Sequence, residues 1–251
     1  VLAFALGIVA TRVRSDLRLP DAAYATLSIY LLLAIGMKGG VALTTTPLAH
    51  VILPAVATLA AGAVLPLTTF PIARRIARWS VADAAALAAH YGSVSVVTFV
   101  AAQAFLDRAG VSYEGFMPAL VALLEVPAIL VALLLARRAD PTTQATGFGE
   151  TLREVLAGRS ILLLVGGLVI GVASGASGMA RVEPFFVTPF EGALTLFLLE
   201  MGLVTGRRLD EVRRGGGFLL AYGTLAPLVH GTLGVAIGLA SGLSVVELRS
   251  S

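Results

Sequence analysis

The sequence predicts an all-α polytopic membrane protein, and three observations carry that prediction. Apolar residues make up 57% of the 251 and charged residues 13%, with a mean hydropathy of +0.92. A soluble domain carries about 25% charged residues, so this chain has too little polar surface to dissolve as a globule. Apolar runs of bilayer-spanning length recur along the whole sequence. Positive charge alternates from one connecting loop to the next. The net charge of +3 has no aromatic-basic cluster or nucleic-acid motif beside it, so nucleic acid is not an expected partner. Cysteine is absent, which excludes disulfides and thiolate metal sites.

The first run, VLAFALGIVA, offers ten residues before TRVRSD, and a ten-residue helix covers about 15 Å, half of a bilayer core. It reads as the end of a spanning helix whose start lies outside the sequence. Seven further runs follow near 22–43, 50–73, 84–106, 115–136, 160–178, 186–206 and 216–241. Buried soluble helices would show a polar stripe and interfacial helices a basic face, and neither pattern appears. Fourteen of the eighteen Lys and Arg residues fall in the loops after the first, third, fifth and seventh runs. The positive-inside rule makes those loops cytoplasmic and puts the N-terminus outside. The connection 138–159 is polar, reads as a cytoplasmic linker, and carries TLREVLAG, which suits a short surface helix.

The second run, LLLAIGMKGGVAL, and the seventh, LFLLEMGLVTGRRL, align on Gly36 with Gly202 and Gly40 with Gly206. FALGIVA around Gly7 similarly resembles LVGGLVIG around Gly167. Residues 1–137 then form a first five-span repeat and 160–251 a partial second repeat of three spans. A unit with an odd number of spans re-enters the membrane inverted, a plan common among secondary transporters with discontinuous helices. Glycines at four-residue spacing (Gly36/Gly40, Gly167/Gly171/Gly175, Gly202/Gly206, Gly234/Gly238/Gly242) are expected to serve close helix packing.

The fourth run holds HYGSVSVVTF and no Asp, Glu, Lys or Arg across 84–106. In hydrocarbon, Ser93, Ser95 and Thr98 can each bond a carbonyl of their own helix, which makes them packing groups. Alternatively Gly92 permits a break, and the half-helix after it offers N–H groups, hydroxyls and a positive dipole end to a small anion. Carbonyls of the unwound segment could then hold Na⁺. Glu125 sits in the middle of GFMPALVALLEVPAILVALLLA, two residues before Pro127. A carboxylate at that depth costs roughly 2.5–3.5 kcal/mol unless paired, protonated or hydrated, which makes it a functional candidate. Glu200 is a weaker candidate of the same kind. Lys38 and Glu191 lie nearer the outer ends and suit snorkelling; His90 and His230 suit packing.

LLLAIGMKGGVAL, YGSVSVVTFVAA, VSYEGFMPALVALLEVPAIL, the EMGL segment and LAPLVHGTLGVAIGLASG together resemble the SbtA-type sodium-dependent bicarbonate permeases, in order along most of the sequence. The resemblance implies a bacterial member with multiple passes through the inner membrane, importing bicarbonate by symport with Na⁺, its coupling ion. It implies ten spans, of which about eight are present here, a trimer as the form of homo-oligomer, and in some members a PII-like cytoplasmic regulator. It places substrate at the broken fourth span and its repeat mate, the ninth, which lies outside this sequence. On this chain Gly92, Ser95 and Thr98 occupy the matching positions, Val97 stands where some relatives have serine, and Glu125 matches an acidic position followed by proline. Competing readings are a carrier of another small anion or carboxylate, a Na⁺/H⁺ exchanger, and a non-transporting receptor or scaffold for a cytoplasmic regulator. An enzyme is not expected, since HExxH and GxSxG are both absent.

Overall fold

The computed structural model describes residues 2–140, 148–214 and 216–243. They form α1 (Leu2–Arg12), α2 (Asp21–Thr45), α3 (Leu48–Arg75), α4 (Val81–Gly92), α5 (Val96–Arg108), α6 (Met117–Ala139), α7 (Phe148–Leu156), α8 (Arg159–Phe186), α9 (Phe190–Arg214) and α10 (Gly216–Ala240). No strand occurs among them. Five helices, α2, α3, α6, α8 and α10, are long and apolar enough to cross a bilayer, as the all-α membrane class requires. The surface helix expected at TLREVLAG is α7; residues 141–147 of the linker lie outside the described residues.

The run expected at 84–106 is two half-helices. Ser80 starts α4 by accepting the Asp83 N–H at 3.0 Å while its hydroxyl donates to the Asp83 carboxylate at 2.6 Å, a local N-cap arrangement. Alanines at 84, 85 and 88 then let α4 lie close on α3 and α6, around Phe70, Ala132 and Ala136.

The centre of the molecule is α2: 44% of its apolar window is buried, against 6% for α10, which lies at the periphery. Glycines explain the difference. A Cβ on Gly36 would lie 2.9 Å from the Gly167 Cα, and one on Gly40 the same distance from the Gly171 Cα. Both are closer than real side chains approach, so α2 and α8 meet backbone to backbone. The pair α1 and α9 repeats the device, with a Gly202 Cβ 3.1 Å from the Gly7 Cα and Gly206 against the Thr11 side chain. In each pair the numbers rise together, so the helices run parallel. Lipid gives apolar helices little reason to associate, and close van der Waals contact supplies it. The glycines of α10 behave otherwise: a Cβ on Gly234 meets nothing, and on Gly238 it meets the Leu243 side chain of the same segment.

The eighth helix also departs from the expected straight run at 160–178. At Gly175 the backbone takes φ 59° and ψ −169°, a conformation essentially confined to glycine. Beyond it the chain turns back along α2. The Tyr30 hydroxyl donates to the Phe185 carbonyl at 2.5 Å and its ring stacks on Phe186, although Gly36, further along the same helix, already meets Gly167. A straight helix would carry Phe185 about 27 Å beyond Gly167.

Candidate functional site

The break in the fourth run falls at Ser93–Ser95. α4 ends with the Ser93 N–H on the Ala89 carbonyl, and Ser93 is extended (φ −96°, ψ 170°). Ser95 is the N-cap of α5, its hydroxyl accepting the Thr98 N–H at 3.4 Å. The Ser93 hydroxyl donates to the His90 carbonyl at 3.3 Å. Of the three hydroxyls only that of Ser93 donates to a carbonyl of its own helix; Ser95 caps the next helix, and the Thr98 side chain is left exposed. N–H groups in the first turn of a helix have no intrahelical partner, so α5 presents its N-terminal end at the break. Gly92 is the last helical residue of α4 and buried. Its role here is steric: a Cβ would sit 2.6 Å from Cγ of Pro66 and 3.0 Å from the Ala128 Cβ.

Beside the break lies a cavity of about 290 Å³. Val94 and Val100 bring the broken helix to it, Tyr24, Ser28 and Leu31 the first half of α2, Glu125 comes from α6, and Arg159 and Ser160 open α8. Glu125 is partly exposed to this space, and among the described residues it makes no hydrogen bond or ion pair, although the Arg159 side chain lines the same cavity. A charged Glu125 would have to draw its solvation from this cavity. Of the residues singled out in the sequence, Gly92, Ser93, Ser95 and Thr98 cluster at the break and Glu125 faces the adjoining cavity. Tyr24, Ser28 and Arg159 were not anticipated, because nothing in their local sequence marks them.

Glu200 belongs to a structural arrangement instead. Buried to 6% exposure, it accepts Arg207 at 3.0 Å and the Leu19 N–H at 3.2 Å, tying the α1–α2 connection to α9. The Tyr24 ring stacks on Phe197 of the same helix at 5.2 Å. His230 lies against Tyr91, as packing predicts.

A second cavity, about 360 Å³, opens toward the other end of α2. It is lined by Lys38, by Gln103 and Asp107 of α5, by Tyr113 in the α5–α6 connection, and by Phe190 and Glu191 of α9. Leu31, Ile35 and Val100, all buried in one apolar cluster, stand between the two cavities. The Tyr113 hydroxyl donates to Asp107 at 3.3 Å; burial, and then the Asp107 carboxylate, push its pKa up to about 12. Among the described residues no three His, Asp or Glu side chains gather as a metal cluster.

Residues 1–248 match the family model of the Na⁺-dependent bicarbonate transporter superfamily. The chain belongs to that family, a family of membrane transporters and not of enzymes. No curated protein matches it.

Proposed function

We propose that this chain carries bicarbonate inward by symport with Na⁺, with the anion bound where α4 stops and α5 begins. The observation that carries the reading is the break itself. At Ser93–Ser95 a spanning segment gives up its ladder, and the freed N-terminus of α5 lies beside a cavity. First-turn N–H groups and the positive end of the helix dipole favour an anion. Among the described residues the Thr98 hydroxyl donates to none, which leaves it for an oxyanion. Carbonyls of Ser93–Ser95 and the Ser95 and Thr98 hydroxyls are oxygen ligands that suit Na⁺ bound beside it. Glu125, facing the same cavity, adds a negative charge that favours the cation and makes symport of a cation–anion pair electrostatically reasonable.

The two halves are proposed as inverted repeats, 1–137 and 160–251. Support comes from the seams: Gly7 and Thr11 against Gly202 and Gly206 mirror Gly167 and Gly171 against Gly36 and Gly40. Exchanging each residue for its sequence counterpart turns one seam into the other. The charge alternation supports an inner-membrane orientation with the N-terminus outside.

Uptake of labelled bicarbonate with and without Na⁺, in cells lacking other carriers, tests the reading. Ser95→Ala and Thr98→Val are each expected to reduce Na⁺-dependent uptake at least roughly tenfold, the size of one charge-assisted hydrogen bond, with the protein still in the membrane. Normal uptake by both variants would make these hydroxyls packing groups. Competition by formate, acetate and nitrate separates bicarbonate from another small anion as the cargo.

A further inference from the structure

Lys38 is the only lysine in the sequence, beside seventeen arginines. The arginines concentrate in the loops, whereas Lys38 sits inside spanning helix α2 between buried Met37 and Gly39. Its side chain reaches the second cavity, with Nζ 4.8 Å from the centre of the Phe190 ring. Among the described residues it makes no hydrogen bond and no ion pair. The neighbouring carboxylates are already engaged, Glu191 with Arg108 at 3.4 Å and Asp107 with the Tyr113 hydroxyl at 3.3 Å. An ammonium has three donors, so those of Lys38 face the cavity. Lys38 is exposed, as a snorkelling side chain would be, and its ammonium stands at the mouth of the chamber against an aromatic face.

We propose that Lys38 is the anion-binding group of a second, outer site, where a small oxyanion rests against its ammonium before reaching the cavity at the broken helix. The Gln103 amide lines the same chamber and can donate to a second oxygen of the anion. Of the lining charges, Lys38 stands against Asp107 and Glu191, and the Arg108 guanidinium on Glu191 brings the local sum to zero, so an anion meets no net negative charge there. Ser28 and Lys38 lie ten residues apart on α2, roughly 15 Å, and the apolar layer of Leu31, Ile35 and Val100 divides the two chambers. A compact point charge on a flexible stem suits a site that must release its ligand, whereas the fork of an arginine holds an oxyanion by two bonds at once. The site deepens the transport reading and rests on it.

A membrane-impermeant amine reagent, applied to intact cells, tests it, with the modified peptide identified by mass spectrometry and Lys38→Gln as the unlabelled control. Lys38 is expected to react from outside, and Na⁺ bicarbonate is expected to slow the reaction several-fold where the same concentration of NaCl does not. In uptake, Lys38→Gln should raise the KM for external bicarbonate roughly tenfold, the loss of one charge-assisted hydrogen bond, with the maximal rate little changed and with Lys38→Arg recovering part of the loss. No labelling from outside, labelling indifferent to bicarbonate, or an unchanged KM would each overturn the outer site. Absence of Na⁺-dependent uptake by the unsubstituted protein would overturn the transport reading instead; the labelling is read without uptake and decides Lys38 separately. If Lys38→Gln fails to reach the membrane, protection of the unsubstituted protein decides.

Discussion

Along α2 and α8, Gly36, Gly40, Gly167 and Gly171 bring two backbones into contact and leave no volume between them. Along α4 and α5, Gly92 also removes a side chain from a crowded place, but the chain then stops being helical and a cavity opens beside it. The first region is a dry seam with each helix satisfying its own backbone. The second leaves first-turn donors and three hydroxyl-bearing residues at membrane depth, which hydrocarbon tolerates only where a cavity or protein partner replaces water. Glycine thus serves rigidity where its neighbour is another helix. At Gly92 it makes room for Pro66, and the chain leaves the helix at the next residue.

Substitutions at the seam should have the largest effect. Gly167→Val forces a side chain onto the Gly36 backbone, where even a Cβ would sit 2.9 Å from Cα. Overpacking of this kind costs about 3 kcal/mol or more, and thermal unfolding in detergent should show it as loss of folded protein. Gly92→Ala meets the Pro66 ring at 2.6 Å; a net loss of about 1 kcal/mol is expected, since alanine also recovers helix propensity. Equal losses at the two glycines would erase the distinction between seam and break. Gly166→Ala sharpens it from the other side. A Cβ there meets nothing within 4 Å, so this neighbour of Gly167 should gain up to about 1 kcal/mol from helix propensity. Glu125→Gln removes a charge that has no partner among the described residues. Folded-state stability should change by less than about 1 kcal/mol, within the range of ordinary surface-like changes, while Na⁺-dependent uptake falls.

An effect absent at neutral pH lies outside both regions, at Tyr113. Its folded pKa of about 12 exceeds the ordinary value of 10.0, so the unfolded chain loses this proton first. Stability is then unaffected below pH 10 and declines as pH rises from 10 toward 12. Tyr113→Phe should abolish that part of the alkaline decline, read from unfolding midpoints between those pH values, together with one tyrosinate from the absorbance titration.

Much of this fold was legible in the sequence because hydrocarbon enforces it. Length and hydropathy mark the helices, and four-residue glycine spacing marks the seams. The break was legible too, since Gly92 and three hydroxyls interrupt an otherwise apolar run. What the sequence hid was the partnering. Nothing in FLLEMGLVTGR separates Glu200, held by Arg207 and the Leu19 N–H, from Glu125, held by neither; both are lone carboxylates in apolar runs. The reversal at Gly175 was hidden for a related reason, since its glycine belongs to the same four-residue series as Gly167 and Gly171. The lining of the second cavity comes from four separated segments, and only the singular lysine could have drawn attention to it.

Helix α2 contributes Ser28 and Leu31 to one cavity and Ile35 and Lys38 to the other, and it is locked to α8 along the glycine seam. Both chambers therefore share α2 as a wall, and Val100 of α5 completes the apolar layer between them. If one is to widen while the other narrows, the close glycine contact predicts that α2 and α8 stay together and that α5 and α6 move against them. The sequence has no cysteine, so introduced pairs can be cross-linked without background. A cross-link joining α2 to α8 should leave Na⁺-dependent uptake intact, and one joining α2 to α5 should arrest it; arrest by the first would show that α2 and α8 must part.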